Sequence, residues 1–116
     1  MSDLAVLGDF DSIMGFRALG LDAYPYGEPE TLDEEEIRPQ LREIVRESGA
    51  KVLFVTEPFY QKFSELLETL RGQAVFPLFV PIPNNRGSLG SGADKVKALV
   101  AKAIGADIFG DDKQAN

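Results

Sequence analysis

The chain contains no cysteine and no histidine in 116 residues. Without cysteine there are no disulfides and no thiolate metal sites, a composition that fits a reducing compartment. Without histidine the Ser-His and Cys-His nucleophilic pairs are excluded, together with the usual zinc sites and the commonest general base near neutral pH. Long apolar runs are also missing. No segment approaches the ~20 residues needed to cross a bilayer. The apolar stretch near the N-terminus is short and has no basic flank, so no signal peptide is expected. A soluble, cytoplasmic protein without membrane insertion is the expectation.

The size is that of one domain, enough to bury roughly two thirds of the unfolded surface without covalent staples. Net charge is −7 and unevenly spread. Residues 1–50 carry 12 acidic and 4 basic side chains, whereas residues 51–116 carry 7 and 8. The acidic half would repel nucleic acid, so no nucleic-acid partner is expected. Acidity of this kind serves solubility, or contact with a basic protein.

The organising stretch is Leu4 to Leu19. Leu4–Leu7 is an apolar run too short for a helix, broken by Gly8 and Asp9. Asp11 or Ser12 then offers a helix N-cap, and Ile13, Phe16 and Leu19 recur at helical spacing. Gly20 stands where a left-handed C-terminal cap belongs. A buried strand followed by a short helix is the usual opening of a parallel α/β sheet, with the first strand central.

The segment Leu21–Tyr26 reads as a short edge strand, because Pro25 cannot donate to a ladder. Thr31 and Glu34 match a capping box ahead of an amphipathic helix carrying Ile37, Leu41, Ile44 and Val45. Pro39 leaves two readings open: a helix running through it, or an acidic turn with the helix starting near it. Lys51–Thr56 is the clearest strand. Pro58 then opens a helix whose buried face is Phe59, Phe63, Leu66, Leu67 and Leu70, closed near Gly72. Val75–Ile82 reads as a fourth strand at an edge, since Pro77, Pro81 and Pro83 interrupt its ends.

The order predicts an α/β fold: an open four-stranded, mostly parallel sheet with helices on both faces, Rossmann-like or receiver-like. The expected organisation is a sheet domain over 1–83, a flexible linker over 84–92, a C-terminal amphipathic helix over 93–109 and a polar tail over 110–116. The helix would present Val96, Leu99, Val100, Ala103 and Ile104 as one stripe. Periodicity alone leaves open whether that stripe packs on the sheet or against another protein.

Candidate chemistry is sparse. Ligands of open α/β sheets bind at the C-terminal strand ends, where Asp9, Asp11, Thr56, Glu57, Asn84 and Asn85 would gather. Asp9 and Asp11 could hold Mg²⁺ as in a receiver-like signalling module. The third strand, however, ends in Thr56-Glu57 with no aspartate to be phosphorylated, and no lysine ends the fourth. A turn former and a helix cap explain the two acids more simply. A flavodoxin-like small-molecule-binding domain is the other alternative, weakened by the absence of a phosphate loop: Gly87–Lys95 lacks the Gly-Lys-Ser/Thr ending. No nucleophile and base can be paired by residue type, so no catalytic residue, cofactor or enzymatic activity of its own is expected.

Taken together, five blocks resemble the F subunit of the archaeal and bacterial V-type (A-type) rotary ATP synthases/ATPases. They are Ala5-Val6-Leu7-Gly8-Asp9, Gly15-Phe16-Arg17-Ala18-Leu19-Gly20, Leu53-Phe54-Val55-Thr56-Glu57, Phe79-Val80-Pro81-Ile82-Pro83 and Val100-Ala101-Lys102-Ala103-Ile104-Gly105-Ala106-Asp107-Ile108. The Gly-Phe-Arg block and the closing Ala-Ile-Gly-x-Asp-Ile are the more specific. The resemblance implies a non-catalytic central-stalk component, peripheral to the membrane. It would bind the coiled-coil D subunit of the stalk and act through the complex with the A/B catalytic hexamer and the membrane-sector connector. ATP turnover would thereby be coupled to H⁺ or Na⁺ movement. It further implies a mobile C-terminal helix. Phe16 and Arg17 on the first helix, and the stripe Val96, Leu99, Val100, Ala103 and Ile104, are the expected partner contacts.

Overall fold

Four short apolar segments pair because none can bury its backbone alone. The computed structural model describes residues 3–84 and 98–102. Strands β1 (Leu4–Asp9), β2 (Asp22–Tyr26), β3 (Val52–Thr56) and β4 (Leu78–Ile82) form one sheet in the order β2-β1-β3-β4. All three pairings are parallel. Helices α1 (Phe10–Arg17), α2 (Glu34–Glu47) and α3 (Glu57–Arg71) are the crossovers that parallel pairing demands. The predicted α/β sheet, its central first strand and its two edge strands are all present.

Side-chain alternation divides the sheet into two faces. Ala5, Leu7, Leu53 and Val55 meet α2 through Leu41, Ile44 and Val45, and α3 through Phe59, Phe63, Leu66 and Leu67. On the opposite face, Val6 and Ile82 join Ile13 and Phe16 of α1, with Leu21 and Val100. Helices therefore cover both sides, and the buried side chains each contribute on the order of 1.5–3 kcal/mol. The helical residues 98–102 extend the cover of the second face, through Val100 alone in that core.

Local details depart from expectation at the caps. The N-cap of α1 is Asp9, whose carboxylate accepts from the Ser12 amide at 3.2 Å and the Ser12 hydroxyl at 2.9 Å. Strand β1 simply runs to Asp9, so the helix starts at Phe10, before Asp11 and Ser12 can cap it. Thr31 likewise does not cap α2. It closes a 3₁₀ turn over Pro29–Thr31, its hydroxyl donating to the Glu28 carbonyl at 2.7 Å, and Asp33 takes the N-cap position. Helix α2 runs through Pro39, which lies on its exposed side, so the first of the two readings holds. Lys62 ties the turn to α3 by donating to the carbonyls of Pro29 and Leu32, each at 2.7 Å. Gly20 adopts φ +97°, the left-handed conformation expected after α1.

At the centre, Gly8 is required by contact rather than conformation. A Cβ there would stand 2.4 Å from Thr56 Cγ2 and 2.5 Å from Thr56 Oγ1. The expected linker over 84–92 and most of the expected 93–109 helix lie outside the described residues, as does the 110–116 tail.

This packing sets two expectations for stability. Gly8→Ala overpacks the β1–β3 seam and should cost about 1–3 kcal/mol in urea unfolding, with part of that loss recovered in a Gly8→Ala/Thr56→Ala double variant. An undiminished loss in the double variant would exclude the Thr56 contact as its cause. Val100→Ala should cost about 1–2 kcal/mol by lost burial. Its neighbour Leu99, 66% exposed, should change stability by less than about 0.5 kcal/mol when truncated.

Candidate interaction surfaces

The C-terminal strand ends offer little chemistry. Asp9 is occupied as the helix cap, and Asp11 is exposed in the first turn of α1. Among the described residues no three acidic side chains converge on a common point. Thr56 is fully buried against Gly8, and its hydroxyl has no hydrogen-bond partner among the described residues. Asn85 lies outside the described residues.

Of the expected partner contacts, Phe16 is entirely buried and stacks on Phe54 with ring centroids 6.3 Å apart. Its ring belongs to the core, because helical spacing turns it with Ile13 onto the sheet; it presents no surface to a partner. Arg17, one residue on, is exposed at the end of α1. Leu99 is exposed whereas Val100 is 5% exposed. Val96, Ala103 and Ile104 lie outside the described residues.

Apolar surface is exposed on and before the β4 edge. Leu78 and Val80 are 46% and 37% exposed. With Leu4, Phe54, Pro81, Ile82, Leu99 and Val100, Val80 lines an open cavity of about 350 Å³ between the sheet and residues 98–102. Val75 and Phe76, in the segment entering β4, are also exposed. On the other face, Arg71 pins α3 to this edge by donating to the Pro77 carbonyl at 3.1 Å and lying 4.7 Å over the Phe79 ring, beside its ion pair with Glu68. Alternation put Phe79 inward and left Leu78 and Val80 outward, a consequence of edge position that hydrophobicity alone does not report.

A second concavity escaped sequence reasoning. A groove of about 500 Å³ between edge strand β2 and the second half of α2 is lined by Tyr24, Tyr26, Gln40, Glu43, Ile44, Glu47 and Ser48. The Tyr24-Pro25-Tyr26 spacing puts both rings on one face of the strand, and Glu43 and Glu47 stand one helical turn apart. Those two spacings were the available signal. Burial pushes both phenols above their usual pKa of 10.0, Asp22 and Glu43 adding to the rise at Tyr24, and Glu43 and Tyr24 at Tyr26; a hydrogen bond with Ser48 partly offsets it at Tyr24.

The family model described as ATP synthase (F/14-kDa) subunit matches residues 4–100, from β1 into the 98–102 helical residues. The chain belongs to this family. It is 34% identical to the F subunit of the V-type ATP synthase of Clostridium perfringens over 106 residues, 91% of this chain and 94% of that one. It is 33% identical to the F subunit of the A-type ATP synthase of Pyrococcus furiosus over 107 residues, 90% of this chain and 96% of that one. A crystal structure of the F subunit of the V-type ATP synthase from Archaeoglobus fulgidus aligns with a TM-score of 0.49 at 26% identity, covering 68% of this chain and 94% of that chain. As a member of this family, the protein is a non-catalytic component of a V/A-type ATP synthase complex. Among the described residues of this family member, no helix is long and apolar enough to cross a membrane.

The raised phenols give a pH prediction. In the folded chain Tyr24 and Tyr26 keep their protons beyond the pH at which the unfolded chain loses them. The stability linked to them is therefore intact below pH ~10 and lost as pH rises through the folded-state values. The unfolding free energy of the native protein should fall above pH ~10 more steeply than that of a Tyr24→Phe/Tyr26→Phe variant. Parallel curves would show that these phenols titrate alike in both states.

Proposed function

We propose that this chain is a central-stalk rotor component that binds the coiled-coil D subunit of the stalk. In that place it helps couple ATP synthesis or hydrolysis in the A/B hexamer to H⁺ or Na⁺ transport, from the cytoplasmic side of the membrane. The observation that carries the reading is the family match over residues 4–100, which takes in all four strands and helices α1, α2 and α3. The exposed apolar residues Leu78, Val80 and Leu99 agree with it, because a part that transmits torque must be gripped over a broad, partly apolar surface. Arg17 is the charged residue of α1 best placed to meet an acidic side chain of the partner, being exposed at the helix end. The stripe Val96, Leu99, Val100, Ala103 and Ile104 supplies a second contact, and of its described members Leu99 is the exposed one.

Co-expression with the coiled-coil stalk protein, followed by size-exclusion chromatography with light scattering, should yield a stable one-to-one complex. Separate monomers at micromolar concentration would overturn the rotor reading. Arg17→Glu should weaken that complex by about tenfold, a cost of about 1.4 kcal/mol, without lowering the melting temperature of the isolated chain. Unchanged affinity would remove Arg17 from the interface.

A further inference from the structure

The groove between β2 and α2 is built with one sign of charge. Glu43 and Glu47 line it, and no lysine or arginine does so. Among the described residues neither glutamate has a cation paired with it; the ion pairs formed there on α2 and α3 are Arg38–Glu35 and Arg71–Glu68. Arg46, the basic residue of the last turn, is turned to the other side, donating to the Leu70 carbonyl of α3 at 3.3 Å.

The helix itself gains nothing from this arrangement. Like charges one turn apart repel by a few tenths of a kcal/mol. Glu47 is also the last residue of α2, where the negative end of the helix dipole disfavours a carboxylate. The two glutamates and the helix terminus thus add their negative potentials at the mouth of one groove. Its opposite wall consists of the Tyr24 and Tyr26 rings. Tyr26 is held in place from behind by Phe59, with ring centroids 5.8 Å apart, and Tyr24 is half-buried against the same core. Fixed aromatic faces opposite carboxylates form a site for an organic cation. Because β2 is an edge strand, the groove lies at the side of the sheet, where no further strand pairs with β2 among the described residues.

We infer that this groove is a socket for an arginine side chain of the protein partner in the complex. A guanidinium can stack on the tyrosine rings while its planar N–H fork meets the glutamates, and its weak hydration lowers the cost of entry compared with lysine. A volume of about 500 Å³ lies in the range of specific binding pockets. The inference rests on the rotor reading for the partner's identity, but not for the chemistry of the socket.

Two measurements test them apart. In the complex with the coiled-coil stalk protein, Glu43→Gln/Glu47→Gln should weaken affinity about tenfold and flatten its salt dependence, while the isolated variant melts no lower than the native chain. Tyr26→Leu should weaken affinity while leaving the salt dependence unchanged. Affinity within about twofold of native for both variants would overturn the socket and leave the rotor reading standing. If the native chain forms no such complex, the rotor reading fails, and the socket is judged on the isolated protein by NMR. There, N-acetyl-arginine amide should shift the Tyr24 and Tyr26 ring signals in the native chain but not in the double-Gln variant, and the uncharged N-acetyl-citrulline amide should shift neither. Equal shifts from the two amides, or none from either, would overturn the socket.

Discussion

Parallel pairing of β1 with β3 is the constraint from which the rest of the structure follows. The two strands lie at the sheet's centre, and their alternate side chains are apolar on both faces. A parallel sheet of this kind has no face that water can cover, so each side needs a helical layer. The seam is tight enough that Gly8 and Thr56 exclude a Cβ between them. The same seam ends where β1 passes directly into α1 at Asp9, and β3 into α3 at Thr56. The β1–α1 and β3–α3 turns are consequently too short to build a phosphate loop.

The two helical layers are unequal, and the inequality sets where the protein can meet others. Helices α2 and α3 span one face from edge to edge, with Arg71 and Lys62 fastening α3 to β4 and to the 3₁₀ turn. On the other face the short α1 covers β1 and β2, while the β3–β4 side has Val100 and an open apolar cavity. Leu78 and Val80 remain exposed there, beyond the cover that α1 and residues 98–102 supply among the described residues. Apolar area left uncovered within a chain is the material from which contacts between chains are made. The acidic groove beside β2 is of a different kind, polar and aromatic, and it lies on the face that α2 and α3 cover. The two surfaces therefore sit on opposite faces and opposite edges of one sheet.

Local patterns along the chain were enough to establish the elements, their order and the class of sheet. Period-two and helical spacings, with Gly20, Gly72 and Pro58 as punctuation, act over a few residues, and they place three helices and four strands correctly. The family resemblance was legible for the same reason, since three of its five blocks sit on β1, β3 and β4 and another begins on α1. Caps were less legible: Asp9, Asp11 and Ser12 offer equivalent oxygens, and only the length of β1 chooses among them. Packing in three dimensions was needed to bury Val100 beside an exposed Leu99. It also joined Tyr24 and Tyr26 to Glu43 and Glu47. Those pairs lie far apart in the chain, and spacing within a segment carries no information about which helix end will pass an edge strand. That depends on how the whole helical layer packs across the sheet, which is a property of the fold and not of any stretch of chain.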